Sequence, residues 1–278
     1  MFRSKGINMQ HAKLSPSKAK RWLNCPAAAL AYKLGAFPSA AMNIYGYSGT
    51  LKHRIVERAL KEVQEVLRAW YMPDKINLKR FMDALGRELV CPDSPYPSVK
   101  SVRLDTSEIL CIYNACVQHI FGRTFRTEYK IPVRLANLAT FGTADVVTLR
   151  PDTDVSDAYV LGIVDWKFGY QPINPRTDPQ TRLYALGAVC KLRDRGVNIS
   201  NAEYTIVQPA SDPQITTVKV TVDQLLEMQT LQIRYSREEI PGDWCLYCEG
   251  LDACKAYALT AAEDNHKLVK DMPGGLLW

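Results

Sequence analysis

The sequence predicts a single α/β domain, in which a mainly helical region precedes a mixed β-sheet core and a cysteine-rich C-terminal cap. Amphipathic, helix-type patterns dominate residues 1–123, whereas β-branched and aromatic residues dominate residues 124–222. A further helix and three closely spaced cysteines follow in residues 223–258, and residues 259–278 form a tail. With 278 residues and 47% hydrophobic side chains, the chain is long enough to bury one large core.

The helical region is predicted from capping and helix-breaking residues as well as from periodicity. Ser15 followed by Pro16 is typical of a helix start. That helix is expected to be interrupted or restarted at Pro26 and to end at Gly35, before a turn-rich segment over residues 36–50. Further helices are predicted over residues 51–70, 75–90 and 106–122.

Strands are predicted where β-branched and aromatic residues are concentrated. Five segments fit this description: residues 124–135, 141–150, 158–168, 204–208 and 216–222. A helix over residues 180–192 separates the third and fourth strands, and another helix is predicted over residues 223–238. The predicted order of the core is therefore β-β-β-α-β-β.

Charge is unevenly distributed along the chain. Ten of the 35 Lys and Arg residues, including Lys18, Lys20 and Arg21, lie in residues 1–60, against one of the 29 acids. A local positive field favours a polyanionic partner such as nucleic acid, and a solvated basic face without a ligand is an equal alternative. No apolar run approaches the roughly 18 residues of a membrane-spanning helix, and the N-terminus resembles no secretory signal. We therefore expect a cytoplasmic protein with reduced cysteines.

The tightest group among the eight cysteines is formed by Cys245, Cys248 and Cys254. Three thiolates leave one ligand missing for a tetrahedral zinc ion or an iron–sulfur cluster. Cys25, beside the helix break at Pro26, is the best candidate for the fourth ligand, and ligation would join the N-terminal helices to the cap. The alternative is that these cysteines are small buried apolar side chains, as we expect for the other four.

Acidic residues on two adjacent predicted strands indicate a metal site. Asp165 ends an apolar strand, and the alternation of a strand places it on the same face as Lys167. If the preceding strand is an antiparallel neighbour, its Asp145 lies beside Asp165. Two carboxylates with water and phosphate oxygens suit Mg²⁺ or Mn²⁺. The acid-x-Lys triplet alone is weak evidence, because Glu128-Tyr129-Lys130 has the same pattern.

Two predicted helices add polar residues at helical spacing. Gly49 precedes His53 by four residues near the start of one helix, and Gln180 and Tyr184 lie at i and i+4 on one face of another. Each of these residues alone is more simply explained as part of a helix surface or of the core. Their ordered combination with the two acids and the lysine is far less expected by chance.

This combination resembles the RecB-like branch of the PD-(D/E)XK nucleases, which have a restriction-endonuclease-like core with a mixed central sheet. The resemblance covers residues 14–255 and is carried by four motifs: GTLKH at residues 49–53, GTAD at 142–145, VDWK at 164–167 and QTRLY at 180–184. The opening segment at residues 14–26 is similar to phage-encoded members. The split cysteine set is similar to the iron–sulfur subgroup, which includes AddB-type nucleases and CRISPR-associated RecB-like exonucleases.

The resemblance implies a role for each matching residue in the sheet. Asp145 and Asp165 would bind the metal ion, with His53 and the main-chain carbonyl of Trp166 as further ligands. Lys167 would position or activate the attacking water and stabilise the charge that develops on the phosphate.

The resemblance also implies roles outside the metal ligands. Gln180 and Tyr184 would orient the lysine and contact DNA, and Glu128 would have at most a supporting role. A [4Fe–4S] cluster, with zinc as the rival, would be bound by four thiolates: Cys25, Cys245, Cys248 and Cys254.

We therefore expect a stand-alone Mg²⁺- or Mn²⁺-dependent DNA exonuclease, since the chain has no G-x4-GK[ST] motif of a helicase. The resemblance suggests 5′→3′ action on single-stranded DNA or free DNA ends, in phage-type recombination or replication with a partner protein, in the cytoplasm of a host cell. The alternative is a non-catalytic DNA-binding protein on the same fold, with the cysteine site as a structural staple.

Overall fold

The computed structural model describes residues 12–37, 44–70, 78–245, 248–250 and 254–256. Residues 1–11 and the predicted tail over residues 259–278 lie outside this described part. The α-helices of the described part are, in chain order, α1 (Ala19–Asn24), α2 (Pro26–Leu34), α3 (Ile44–Trp70), α4 (Leu78–Leu85), α5 (Thr106–His119), α6 (Pro179–Arg193) and α7 (Val222–Leu226).

The strands form a two-stranded ribbon and a five-stranded sheet. They are β1 (Leu89–Val90) and β2 (Ser101–Val102) of the ribbon, and β3 (Thr124–Leu135), β4 (Leu138–Pro151), β5 (Tyr159–Trp166), β6 (Ile199–Val207) and β7 (Ile215–Thr221) of the sheet. Neighbours in the sheet follow chain order and are antiparallel, except that β5 and β6 are parallel. The parallel pair requires a crossover, which α6 provides. The prediction of a mixed α/β fold with a mixed central sheet is confirmed.

The sheet is covered by helices on both faces, and alternate residues of β5 show this. Ile163 and Leu161 are buried in the core beneath α1, α2 and α6, together with Leu183 of α6. Val164 is buried on the opposite face, in the core that contains Ile55 of α3. A strand buried on both faces has an apolar sequence throughout, as β5 does until it reaches its acidic end. None of the described helices combines the length and apolar character needed to cross a membrane.

Helix α6 lies unusually close to the sheet at one point. A Cβ atom at Gly187 would lie 2.3 Å from the main-chain oxygen of Pro132 in β3, so only glycine allows this approach. The close packing fixes the height of α6 above the sheet. The first turn of the helix is thereby positioned at the end of β5, where the predicted acidic residues lie.

The prediction of a turn-rich segment over residues 36–50 is wrong for the second half of that segment, because α3 already begins at Ile44. Tyr47 and Leu51, one helical turn apart, pack on the same core. Thr50 Oγ1 also donates to the main-chain oxygen of Gly46 at 2.9 Å, within the helix. Residues 38–43 of the expected turn segment lie outside the described residues.

The prediction of a helix over residues 223–238 is also largely wrong. Helix α7 ends at Leu226, and a short 3-10 turn follows over Glu227–Thr230. Beyond it, the side chain of Asn137 donates to the main-chain oxygen of Ile233 and accepts from its N–H, both at 2.8 Å. These contacts hold the segment in a non-helical conformation, since the side chain of Asn137 replaces the partners that a helix would provide.

Two boundaries differ for simpler reasons. The helix predicted over residues 75–90 is shorter, because α4 ends at Leu85 and the chain enters β1 four residues later; residues 75–77 lie outside the described part. Strand β6 begins at Ile199 rather than at residue 204. Its polar Glu203 has side-chain partners in Arg123 and Arg150, at 3.2 and 2.7 Å, which the strand pattern did not indicate.

Candidate active site

Strands β4 and β5 bring the two predicted acids together. Val146 pairs with Val164, and the acids follow at the adjacent positions, Asp145 and Asp165. The main-chain N–H of Trp166 donates to Asp145 Oδ2 at 2.8 Å, which fixes this carboxylate against the end of β5. The side chain of Asp165 is 4% exposed and that of Asp145 is 16% exposed. The antiparallel register assumed from the sequence therefore produces a pair of adjacent, largely buried carboxylates.

The two carboxylates have opposite pKa shifts. Burial raises the pKa of Asp165 to about 6; the neighbouring Lys167 opposes this rise, and the negative charge of Asp145 adds to it. Burial would also raise the pKa of Asp145, but the adjacent His53 and the N–H of Trp166 outweigh it and lower the pKa. The carboxylates of Asp145 and Asp165 therefore repel each other when both are ionised, and a nearby cation would relieve this repulsion.

Lys167 and Gln180 complete a network around Asp165. Lys167 Nζ lies 2.7 Å from Asp165 Oδ2 and donates to Gln180 Oε1 at 3.1 Å. Gln180 in turn donates from Nε2 to Asp165 Oδ1 at 3.2 Å. One amide from the first turn of α6 thus bridges the carboxylate and the ammonium, so that all three side chains hold each other in place.

Tyr184 lies one turn further along α6 and is buried. A Cβ atom at Gly142 of β4 would come within 2.6 Å of Tyr184 Cε1, so the glycine of the GTAD motif makes room for this ring. Burial raises the pKa of the Tyr184 hydroxyl, and the charges of Asp165 and Asp145 add to the rise. Tyr184 therefore stays neutral and can donate a hydrogen bond.

His53 projects from α3 towards the same site. Its Nδ1 lies 3.4 Å from Asp145 Oδ2, and its ring packs edge-on against Phe168, with the ring centres 5.3 Å apart. Burial alone would lower the pKa of His53, but the charge of Asp145, its hydrogen bond to His53 and the charge of Asp165 together outweigh burial and raise it. The structure thus places His53 beside Asp145, with β4 on one side and the segment after β5 on the other.

Two further acids lie beside the site: Glu128, for which the sequence predicts at most a supporting role, and Glu57. Glu128 in β3 has a left-handed backbone (φ 48°) where the pairing with β4 skips Asp145, and such a conformation is uncommon for a residue other than glycine. Burial, together with the charges of Asp145 and of Glu57 on α3, raises the pKa of Glu128 to about 7. Glu57 lies four residues after His53, and this spacing places it on the same face of α3.

The donor set fits a hard divalent cation that is only partly coordinated by protein. In the described part of the chain, no group of three or more His, Cys, Asp or Glu side chains is arranged to hold a metal ion by itself. Mg²⁺, however, is commonly bound through one or two carboxylates, with waters and substrate phosphates as its other ligands. Asp145 and Asp165 are such a pair, and their mutual repulsion is the feature that a bound cation would remove.

Of the four cysteines predicted to bind a metal ion or cluster, Cys25 is far in sequence from the other three. The fold brings the four only partly together. Cys25, Cys248 and Cys254 line one cavity of about 470 Å³, and Cys245 is joined to Cys248 through a main-chain hydrogen bond of 2.8 Å. Cys254 Sγ lies 3.7 Å from a carboxylate oxygen of Glu239. These thiols do not form a ligand set within the described residues, and residues 246–247 and 251–253 between them lie outside that part.

Glu249 lies in the segment that carries Cys245, Cys248 and Cys254, which we call the cysteine segment, and joins it to the N-terminal helices. Its carboxylate, 11% exposed, lies 3.0 Å from Lys18 Nζ and 3.2 Å from Arg21, and it accepts a hydrogen bond from Tyr32. Burial would raise the pKa of Glu249, but these partners outweigh burial and lower it. We refer to Glu249, Lys18, Arg21 and Tyr32 as the Glu249 clasp. Part of the basic N-terminal segment is thus neutralised within the protein.

The family model described as "Protein of unknown function (DUF2800)" matches residues 11–273 of this chain. No curated protein matches it. Among solved structures, it is similar to a protein from Eubacterium rectale described as a "Putative exonuclease", with 11% identity, a TM-score of 0.40 and 82% of each chain covered. It is also similar to a protein named SSO0001, with 13% identity, a TM-score of 0.29, and coverage of 84% of this chain and 95% of the other. At these TM-scores and identities, neither similarity bears on what this chain does.

Proposed function

The chain belongs to the DUF2800 family, and we propose that it is a metal-dependent deoxyribonuclease of the RecB-like PD-(D/E)XK type. One observation carries the proposal: the amide of Gln180 bridges Asp165 and Lys167, directly beside Asp145. These residues come from β4, from the end of β5 and the residue that follows it, and from the first turn of α6, and their side chains meet at one point. Strongly coupled acidic and basic groups at one point are typical of a catalytic site.

The acidic residues of the site would bind the metal ion. Asp145 and Asp165 would hold Mg²⁺ or Mn²⁺, with His53 and the main-chain carbonyl of Trp166 as further ligands. When bound, the cation would supply Lewis acidity towards the phosphate and lower the pKa of a bound water. The buried position of Asp165 keeps bulk water away from its carboxylate.

Lys167 would act as a fixed positive charge. Burial alone would lower its pKa, but the adjacent Asp165 carboxylate outweighs burial and raises it, so the ammonium stays protonated at neutral pH. A protonated lysine stabilises negative charge on the phosphate and is not a general base. Gln180 holds this ammonium in place. The hydroxyl of the buried Tyr184, one turn further along α6, is hydrogen-bonded with the Gln180 side chain and would help to orient it.

The finer proposal is an exonuclease that acts on single-stranded DNA or free DNA ends in the 5′→3′ direction, within phage-type recombination or replication. The motif resemblance supports this part and a partner protein, whereas the proposed cytoplasmic location follows from the sequence expectation given above. We further propose that Cys25, Cys245, Cys248 and Cys254 bind a [4Fe–4S] cluster, with zinc as the rival. The chemical support is that three of these thiols share one cavity.

The test is degradation of end-labelled linear DNA, single-stranded and double-stranded, by the purified full-length protein. We expect shortening of the DNA with Mn²⁺ or Mg²⁺ and none with EDTA. Label release from only one type of end would establish the polarity. DNA binding without any cleavage in either metal would contradict the proposal and favour a non-catalytic DNA-binding protein.

A further inference from the structure

We propose that a groove beside Lys167 and Gln180 binds a single strand of DNA, with Lys20 contacting a phosphate and Trp244 stacking on a base. We call it the α1 groove. The proposal rests on the proposed nuclease function and specifies the form of its substrate, because the groove would lead one strand to the reacting phosphate.

The α1 groove is continuous with the candidate active site. It has a volume of about 460 Å³, and both Lys167 and Gln180 contribute to its lining. One part of the lining comes from α1 and the turn before it, including Lys20 and Ser17. Another part comes from residues 171–179, the segment that connects β5 to α6. A chain that occupies this groove would therefore contact the two residues that surround Asp165.

Lys20 is the basic residue of the groove that is free to change partners. Its Nζ lies 2.7 Å from Asp243, but the two side chains are 48% and 71% exposed. An ion pair this exposed contributes little, so a DNA phosphate can replace the carboxylate. Lys18 and Arg21 also line the groove, but the largely buried Glu249 holds both of them. Their charges are therefore neutralised within the protein, and they are not the residues that exchange. The lining also contains two acids, Asp178 and Asp243, so Lys20 is the residue on which phosphate binding would depend.

Trp244 provides a fixed aromatic surface at the same groove. It is half-buried, because it packs partly against the core beneath α1, α2 and α6, and it contributes the rest of its surface to the groove. Its indole Nε1–H donates to the main-chain oxygen of Ile240 at 2.9 Å. The ring also packs closely on Gly242, where a Cβ atom would lie 2.5 Å from it. An aromatic ring that is already held in place loses little entropy when a base stacks on it, and such stacking tolerates any base sequence.

The chemistry and the size of the groove favour one strand over two. A phosphate-binding cation beside an aromatic platform, here Lys20 and Trp244, is a combination used by proteins that bind single strands without sequence preference. Polar side chains such as Asn174 and Thr177 can bond to sugar and phosphate oxygens. In a duplex the base faces are stacked on one another, and only the base edges are accessible, in grooves about 12 and 6 Å wide. A base of duplex DNA therefore cannot stack on Trp244.

The test is fluorescence anisotropy with a labelled oligo(dT) and the full-length protein in EDTA. Trp244→Leu should weaken binding about tenfold or more without changing its salt dependence, because stacking carries no charge. Lys20→Ala should weaken binding and lower the slope of log K against log salt by about 0.7, the value for one phosphate contact on a single strand. Lys79→Ala is the matched control, since Lys79 is exposed on α4 and paired with Asp83.

Trp244→Phe checks that the loss is due to stacking and not to misfolding, and it should retain most of the affinity. Wild-type affinity and salt slope in both Trp244→Leu and Lys20→Ala would overturn the proposal. An equal loss of affinity for a blunt duplex would also overturn it, because the groove would then not be specific for a single strand. Binding is measured without metal, so a failure of the nuclease proposal would leave this result intact.

Discussion

The acidic site and the cysteine segment are positioned by different kinds of structure. In the acidic site, regular elements place the side chains: the β4–β5 register aligns Asp145 with Asp165, and the first turn of α6 supplies Gln180. In the cysteine segment, the described residues are mostly irregular, and Glu249 connects them to the N-terminal helices through side-chain contacts. The first region depends on backbone geometry, and the second depends on a few polar contacts.

This difference predicts how each region responds to substitution. A change of charge within the acidic site should alter chemistry and leave the fold intact, because the sheet and α6 hold the backbone without it. A change in the Glu249 clasp should loosen the connection between α1, α2 and the cysteine segment, and should therefore affect stability first. The predictions below test this contrast, from the largest expected effect to the smallest.

Lys167→Ala should lower the rate of DNA cleavage by about 10²- to 10³-fold, because it removes a positioned positive charge from the reacting phosphate. Lys130→Ala is the control. Lys130 belongs to the other acid-x-Lys triplet, and its ammonium lies over the Phe141 ring, 4.1 Å from the ring centre. Single-turnover cleavage of labelled DNA in Mn²⁺ measures both variants. If Lys130 proved essential and Lys167 dispensable, the site would be wrongly assigned.

Cys25→Ser should abolish the iron or zinc content of anaerobically purified protein, since it removes the one ligand that comes from the N-terminal helices. Brown protein with about four irons per chain would indicate the cluster, and colourless protein with stoichiometric zinc would indicate the rival metal. Cys91→Ser, outside the cavity, is the control and should retain the metal. Full metal content in Cys25→Ser would refute its role as a ligand.

Glu249→Gln should lower the free energy of unfolding by about 1–2 kcal/mol, because it leaves the largely buried Arg21 without its counter-charge, whereas the loss at Lys18, which is 35% exposed, is screened by solvent. Glu238→Gln is the control: its ion pair with Arg234 is exposed, so the change should be small. Urea unfolding measures both. A Glu249→Gln protein as stable as wild type would show that the clasp contributes nothing.

The same contribution should depend on pH in a defined direction. Because folding lowers the pKa of Glu249, its stabilising effect is present above the unfolded-state value of about 4.3 and is lost as the pH falls through the lower folded value. The stability difference between wild type and Glu249→Gln should therefore be constant near neutral pH and shrink below about pH 4. A difference that grew towards acidic pH would contradict the assigned direction.

Gln180→Ala should lower the cleavage rate by about tenfold, less than Lys167→Ala, since it removes the amide that holds the lysine but leaves its charge. Gln229→Ala is the control, because the Gln229 amide contacts Cys190 on another part of α6. Gln180→Glu should not restore the rate, since a carboxylate beside Asp165 would add repulsion. Wild-type cleavage by Gln180→Ala would show that the bridge has no role in orienting Lys167.

The parts of the fold that the sequence predicted are those governed by local pattern. Strand β3 has the predicted bounds, and the helix break at Cys25 and Pro26 and the left-handed Gly35 after α2 follow from the chemistry of Pro and Gly. The acidic pair was predictable because one register between adjacent strands decides whether Asp145 meets Asp165.

Contacts between distant segments could not be predicted in this way. The side chain of Asn137 prevents the helix expected over residues 223–238, and nothing in the local sequence there indicates it. The pairing of Arg21 with Glu249 joins positions 228 apart in the sequence. Glu128 enters the site through an unusual backbone conformation, and the sequence pattern of β3 gives no sign of it.

Asp165→Asn tests the central claim most directly, because it replaces the buried carboxylate by an amide of nearly the same shape. Single-turnover cleavage of labelled DNA in Mn²⁺ is compared for wild type, Asp165→Asn and the control Asp154→Asn, which lies in the exposed β4–β5 loop. The account predicts no detectable cleavage by Asp165→Asn, with DNA binding in EDTA and the circular dichroism spectrum unchanged, and wild-type cleavage by Asp154→Asn. Cleavage by Asp165→Asn at the wild-type rate would contradict the account.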